Sequence, residues 1–346
     1  MPSPVDLRSD TVTKPTPEMR EVMTKAPVGD DVFGEDPSIN ALQEKAAALL
    51  GHEDALFVPS GTMANQLAIK VLTRAGDEVL LEAGSHPYNS ESGGAAVFSS
   101  VQLHVLNGKR GLLEPEQIEN AIRPDDIHCA PTRAVCLENT HNRGGGSIYP
   151  IETVAAVREV AKSHGLSMHL DGARLFNACA ATGLKPSDYA QYFDTVSFCL
   201  SKGLGAPVGS LIAGSKPIIK EALRWRKVLG GGMRQAGILA AAGIYALDHH
   251  VERLVEDHSN AKLLAQGLSE LDGIEIDPVD VETNIVIFQV THPRLNASNV
   301  TNRLKAHGVL VLPWTSDQIR AVTHLDVNRT GVERALTAIE TILKES

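Results

Sequence analysis

The chain has no Cys-x-x-Cys pair. Its four cysteines, Cys129, Cys136, Cys179 and Cys199, stand apart in largely apolar surroundings. That argues against a zinc site or a disulfide framework and points to reduced, mostly buried thiols. Long apolar runs are missing too. Nothing reaches the roughly 20 residues of a membrane span, and MPSPVDLRSD has no apolar signal core, so a soluble cytoplasmic protein is expected. Basic charge is scarce: 42 acidic residues against 32 basic give a net −10. Nucleic acid and acidic membrane surfaces are therefore poor partners, although a local basic site for a phosphate remains open. There is no tandem repeat, no low-complexity tract, and no G-x-x-x-x-G-K-[ST] phosphate loop.

What is present is a globular composition. Hydrophobic residues make up 43% and charged residues 21% of 346, enough for a large domain and a smaller one. Residues 1–37 look like an extended arm carrying one short helix, 17–25. SINALQEKAAALLG has apolar residues at helical spacing, with Ser38 as its cap and Gly51 as its end. Strands and helices then alternate. ALFVPSG, DEVLLEA, VQLHVL, AVCLEN, SMHLDGA, DTVSFCLSKG and VGSLIAGS read as strands; TMANQLAIKVLTRAG, ESGGAAVFSS, PEQIENAI and IETVAAVREVAKSHG read as helices. Such alternation implies a mostly parallel sheet covered on both faces, with ligands bound beyond the strand ends. After about residue 215 the chain turns helical. TNIVIFQV and ASNVTNRLKAHG then suggest a smaller α/β domain at 251–346, after a large one at 1–250.

Three strand ends carry the chemistry. In LDGAR, Asp171 either caps the next helix or pairs with a buried cation, such as a pyridinium nitrogen. In SGTMANQ, Gly61 and Thr62 open a helix whose free N–H groups suit a phosphate, or Ser60 is simply its cap. In SFCLSKGLGAPVGS, Lys202 is the only charge between an apolar run and small residues. It is either a Schiff-base nucleophile, whose charge imine formation removes, or a lysine reaching past glycines to solvent. Together the three describe a pyridoxal 5′-phosphate site.

The order of these motifs resembles the fold-type-I pyridoxal-phosphate enzymes. Along nearly its whole length the chain resembles the low-specificity L-threonine aldolases. The resemblance is carried by DLRSDTVTKPT, VGDDVFGEDPS, FVPSGTMANQ, LENTHNRGGG, HLDGARLFNA, FCLSKGLGAPVGS, RWRKVLGGGMRQAGILAAAGIYAL and IRAVTHLDV. It implies an α/β, transferase-like fold with a mostly parallel seven-stranded sheet and a small C-terminal domain.

The resemblance also implies roles. Lys202 matches the cofactor-binding lysine, and Asp171 the partner of the ring nitrogen. Arg174 matches a residue near the cofactor's phenolic oxygen and the substrate. Gly61 and Thr62 match phosphate ligands, and His86 a histidine stacked on the ring. Ser9 and Arg320 match holders of the substrate carboxylate. His128 matches a histidine near the β-hydroxyl. Lys227 and Arg234 match residues that reach a neighbouring subunit's site, which implies a homo-oligomer, a tetramer built from two dimers. No metal is implied in the reaction. Taken without the resemblance, His86 and His128 are loop histidines, and Arg174, Arg320, Lys227 and Arg234 are solvated cations.

The implied reaction is retro-aldol cleavage of L-threonine or L-allo-threonine to glycine and acetaldehyde. His86, His128 or a held water takes the hydroxyl proton. The alternatives are another fold-type-I enzyme, a β-eliminating lyase or an aminotransferase, or a non-catalytic cofactor-binding regulator. Two departures bear on substrate choice. Phe33 stands where many relatives have tyrosine, and Trp314 is bulky where they often have smaller residues.

Overall fold

The apolar runs do assemble into one sheet. The computed structural model describes residues 3–345. Its strands are β1 (Val5–Asp6), β2 (Asp54–Val58), β3 (Glu78–Glu82), β4 (Gln102–Leu106), β5 (Thr132–Glu138), β6 (Ser167–Asp171), β7 (Thr195–Cys199), β8 (Ser210–Gly214), β9 (Ile274–Glu275), β10 (Ile285–Val290), β11 (Val309–Leu310), β12 (Leu312–Pro313) and β13 (Gln318–Val322). Its helices are α1 (Pro17–Thr24), α2 (Pro37–Leu50), α3 (Gly61–Leu72), α4 (His86–Asn89), α5 (Pro115–Ala121), α6 (Ile151–Ser163), α7 (Leu175–Thr182), α8 (Pro186–Ala190), α9 (Lys216–Val228), α10 (Gly237–His249), α11 (Leu254–Ser269), α12 (Ala297–Ala306) and α13 (Arg329–Lys344).

The large sheet has the order β2-β8-β7-β6-β5-β3-β4. Only β8 runs against its neighbours; the other six strands point one way. The carboxyl ends of β2, β3, β5, β6 and β7 therefore lie along one edge. Strands β3, β7 and β8 are buried along their whole length, as strands covered on both faces must be. A second, antiparallel sheet, β12-β13-β10-β9, is built on a core of its own with α11, α12 and α13. Leu254 belongs to the first core and Ala261 to the second, so α11 carries the chain from one to the other.

Three local expectations change. Asp36, not Ser38, caps α2: its Oδ1 accepts from the N–H groups of Ser38 and Ile39, both at 3.1 Å, behind Pro37 in the first turn. Ser38 Oγ instead donates to the Pro27 carbonyl at 2.7 Å. At the other end Gly51 does close the helix, at φ +70°. The segment ESGGAAVFSS forms only one π-helical turn, Ala95–Ser99, because Gly93 enters the left-handed region at φ +71°. The start of the amino-terminal arm, grouped with residues 1–250 from sequence, joins the second core, while Met19 of α1 stays in the first. β1 pairs parallel with β11, and Val5 and Leu7 are buried in the second core.

Candidate active site

The shared strand edge gathers the chemistry-bearing residues. Lys202 stands in the loop after β7, half-buried. The arm reaches it: Thr13 Oγ1 donates to the Lys202 carbonyl at 3.0 Å. The charge of Lys202 acts on Asp10 and on His86, which places all three around one space.

Asp171 ends β6 and is 3% exposed. Its Oδ1 accepts from the Ala173 N–H at 3.1 Å, and its Oδ2 from Asn65 Nδ2 at 2.7 Å. Both donors are neutral, and among the described residues no lysine or arginine forms an ion pair with it. A buried carboxylate without a cation is costly, so the site calls for one. Asp171 is thus more than a cap for α7, whose capping position Arg174 holds.

Helix α3 begins at Gly61, directly after β2. A Cβ at Gly61 would meet Cys199 Sγ at 2.8 Å, so only glycine lets this helix start close against the end of β7. Ser60 caps it by accepting from the Met63 N–H at 3.2 Å. The N–H groups of Gly61 and Thr62 belong to the first turn, where no helical acceptor exists, so they remain available to an anion.

Two arginines share one asparagine. Arg174 grips Asp10 with two 2.7 Å hydrogen bonds from Nε and Nη2. Burial alone would raise Asp10, but the Arg174 guanidinium holds it well below the usual carboxylate range. Arg174 Nη1 and Arg320 Nη1 donate to Asn142 Oδ1, at 3.4 Å and 2.9 Å. Arg320 comes from β13 in the smaller sheet, opposite Ile287. Its Nη2 donates to the Arg8 carbonyl at 3.3 Å, beside Ser9, and its buried Nε has no partner. Burial, with the like charge of Arg174 next, lowers Arg320 to about 10. Ser9 Oγ accepts from the Thr11 N–H and hydroxyl, at 3.2 Å and 2.9 Å.

His86 opens α4 at the end of β3, with its N–H on Glu138 Oε2 at 2.7 Å. Its Nδ1 lies 2.7 Å from Glu91 Oε1, and that hydrogen bond raises the imidazole above its ordinary value.

Other sequence-derived candidates stay outside this cluster. The side chain of His128 is 84% exposed in the loop before β5, at the opposite edge of the sheet, and meets only Asp126 at 2.7 Å. Within one chain it is not near the reacting groups, because β5 separates it from them. Lys227 and Arg234, both exposed, flank the glycine turn after α9, of which Gly230 is exposed and Gly231 buried. Arg234 pairs with Asp30 at 2.9 Å, and its guanidinium lies 6.0 Å from the Phe33 ring centroid.

The donor set fits pyridoxal 5′-phosphate. It offers an amine at Lys202, an anion-binding helix start at Gly61 and Thr62, and a buried carboxylate at Asp171 that lacks a cation. Arg320, with its unpartnered buried Nε, fits the carboxylate of an amino acid. Sequence reasoning passed over Asp10, Asn65, Glu91 and Asn142. Asn65 had a signal: it follows Gly61 by one helical turn and so shares its face. The others are linked only through folding.

A family model described as beta-eliminating lyase matches residues 6–291. The chain is 47% identical over 326 residues to the low specificity L-threonine aldolase of Escherichia coli K12, covering 94% of this chain and 95% of that protein. It is 44% identical over 343 residues to the probable low-specificity L-threonine aldolase 2 of Arabidopsis thaliana, covering 98% and 97%. Among solved structures, the Leishmania major threonine aldolase superposes with a TM-score of 0.83 at 20% identity, over 99% of this chain and 100% of that one.

Proposed function

Because the chain belongs to the beta-eliminating lyase family, and within it to the low-specificity L-threonine aldolases, we infer that it is a pyridoxal-phosphate-dependent lyase that cleaves L-threonine and L-allo-threonine to glycine and acetaldehyde. The observation that carries this reading is Asp171, a buried carboxylate without a cation, on the same sheet edge as Lys202 and the open turn of α3.

We assign the residues as follows. Lys202 supplies the amine that holds the cofactor and later returns to release product. Gly61 and Thr62 hold the phosphate through the first turn of α3. Asp171 keeps a proton at the ring nitrogen. Pyridoxal phosphate, when bound, supplies the electron sink that takes up the electron pair left at Cα as the bond to Cβ breaks. Arg320, with Ser9, holds the substrate carboxylate and so fixes which bond at Cα is aligned to break; the free Nε of Arg320 supports this. Arg174 keeps Asp10 ionised beside them, and its Nη1, which gives one hydrogen to Asn142 Oδ1, has a second to offer the ligand. His86, half-buried and next to Lys202 and Asp171, is the acceptor of the β-hydroxyl proton.

For the assembly we propose a homotetramer, a dimer of dimers, in which Lys227 and Arg234 serve a neighbouring subunit's site. Exposed apolar residues around the same turn, Phe33, Val228, Leu229 and Ile238, support it. His128 acts, in this reading, at another subunit's site. Among the described residues no helix is long and apolar enough to cross a membrane. The four free cysteines favour the cytoplasm.

The test is a spectrum and a product assay. The purified protein should be yellow, borohydride should fix the cofactor to Lys202, and L-threonine should yield glycine and acetaldehyde. Lys202→Ala should abolish turnover. A colourless protein that takes up no cofactor, or an adduct on another lysine, overturns the reading.

A further inference from the structure

Behind His86 lies a chain of buried groups that the mechanism above leaves without a task. The side chain of Glu91 is fully buried, and among the described residues it has no lysine or arginine partner. Its Oε1 receives His86 Nδ1 at 2.7 Å and Asn65 Nδ2 at 2.8 Å; its Oε2 receives Gln66 Nε2. The same Asn65 nitrogen donates to Asp171 Oδ2 at 2.7 Å. One amide thus gives its two hydrogens to two carboxylates.

The other side of Asn65 is occupied as well. Its Oδ1 accepts from Ser197 Oγ at 3.0 Å and lies 3.1 Å from His169 Nε2. His169 Nε2 donates to that oxygen, while His169 Nδ1 lies 2.9 Å from Thr195 Oγ1 and 3.2 Å from the Thr195 carbonyl. Burial lowers the His169 imidazole to about 4, which keeps it neutral at neutral pH. Ionised Glu91 and Asp171 only accept, so the Asn65 nitrogen must face them and its Oδ1 the side of Ser197 and His169.

We propose that Glu91 is a positioning residue for the reaction: it holds His86 in the Nδ1–H tautomer with Nε2 free, and through Asn65 it ties His86 to Asp171 in one hydrogen-bonded chain. This rests on the reading of His86 as proton acceptor. A buried carboxylate behind an imidazole fixes the tautomer and stabilises the imidazolium that forms when the other nitrogen takes a proton. The groups facing His86 agree. Glu91, just after α4, and Asp171 on β6 attract the ring proton, while Glu138 on β5 accepts the backbone N–H. Burial opposes, and so, more weakly, does Lys202 after β7.

The experiment is a titration of the holoenzyme with ¹⁵N-labelled histidine, the His86 signal being assigned by its loss in His86→Asn. The His86 midpoint should lie above the ordinary imidazole value and fall by about one unit or more in Glu91→Gln. The acid limb of kcat/KM should move to lower pH by the same amount. At the optimum, Glu91→Gln should lower kcat about tenfold or more with KM little changed. In a His86→Asn background it should lower kcat no further. Glu91→Asp keeps the charge and should keep the midpoint raised; it serves if the glutamine variant does not fold. An unmoved midpoint, or a full second loss in the double variant, overturns the proposal. Undiminished kcat in His86→Asn overturns the underlying reading instead, and is told apart because the midpoint still follows Glu91.

Discussion

Arg320 lays its guanidinium over the ring of Trp314, 4.5 Å from the centroid. Arg143 lies over the same ring at 5.1 Å. Trp314 begins the turn between β12 and β13, where its N–H donates to the Gln318 carbonyl at 2.7 Å. The ring therefore covers an arginine that is buried, lowered in pKa, and short of one hydrogen-bond acceptor. Stacking can hold such a guanidinium flat while its edge stays open to a carboxylate.

This arrangement makes a graded prediction. Arg320→Ala removes charge-assisted bonds of about 1.5–3 kcal/mol, so KM for L-threonine should rise by about 10- to 150-fold. Trp314→Ala removes a contact of about 0.5–2 kcal/mol, so KM should rise by about 2- to 30-fold with kcat less affected. Steady-state kinetics on both variants checks it. A Trp314→Ala enzyme with unchanged KM would make the ring mere packing.

Much of this site was legible because strand ends are. Asp171 and Lys202 close apolar runs, and Gly61 opens a helix immediately after one, so local pattern and the rule for parallel sheets place them together. Arg320 could not be placed that way. It comes from a separate sheet, and only the closing of that sheet over the strand ends brings it to Asn142. Asp10 and Glu91 were invisible for a related reason: each is defined by a buried partner far along the chain, Arg174 and Asn65. The arm misled because a two-residue strand has no periodicity to read, and its pairing with β11 spans almost the full chain.

Acid should destabilise the protein through His169 and His258, whose loss outweighs the opposite contribution of His86 and His141, both raised by neighbouring carboxylates. His169 is lowered by burial to about 4, so it favours folding while neutral. That contribution is complete above the ordinary imidazole value of about 6.5 and is lost as pH falls from there through about 4. For His169 it amounts to roughly 3 kcal/mol. His258, also lowered by burial to about 4, adds to the same window. Asp10, held low by Arg174, loses its contribution only at still lower pH. Thermal midpoints between pH 7 and pH 4.5 should fall steadily, and His169→Asn should flatten the slope. An unchanged slope would show that His169 charges in place.

Subunit exchange tests the assembly. If Arg234 serves a neighbour, a mixture of inactive Lys202→Ala and inactive Arg234→Ala proteins forms mixed dimers with one intact site. Full exchange should recover roughly a quarter of parental activity, because half the dimers are mixed and each has one good site of two. Activity measured during exchange under mild denaturant follows this directly. An active monomer by light scattering, or no recovery after proven exchange, refutes it.

Phe33 should bear on substrate choice. It is 73% exposed in one chain, with the Arg234 guanidinium 6.0 Å from its ring centroid. A ring so placed is covered only if another subunit docks there, and that docking would bring it to a neighbouring site with Arg234. At that place many relatives carry a hydroxyl that this chain lacks. A hydrogen bond between neutral partners is worth about 0.5–1.5 kcal/mol, so its loss should weaken discrimination between the two orientations of the β-hydroxyl. The parent enzyme should therefore cleave both L-threonine and L-allo-threonine, accept β-phenylserine through added apolar contact, and leave the D-enantiomers untouched. Phe33→Tyr should change the ratio of kcat/KM for the two L-diastereomers by about 2- to 12-fold. The measurement is kcat/KM for the four threonine stereoisomers and β-phenylserine in both proteins. If the parent already separates the diastereomers by several orders of magnitude, or the ratio does not move in Phe33→Tyr, Phe33 serves the subunit contact alone.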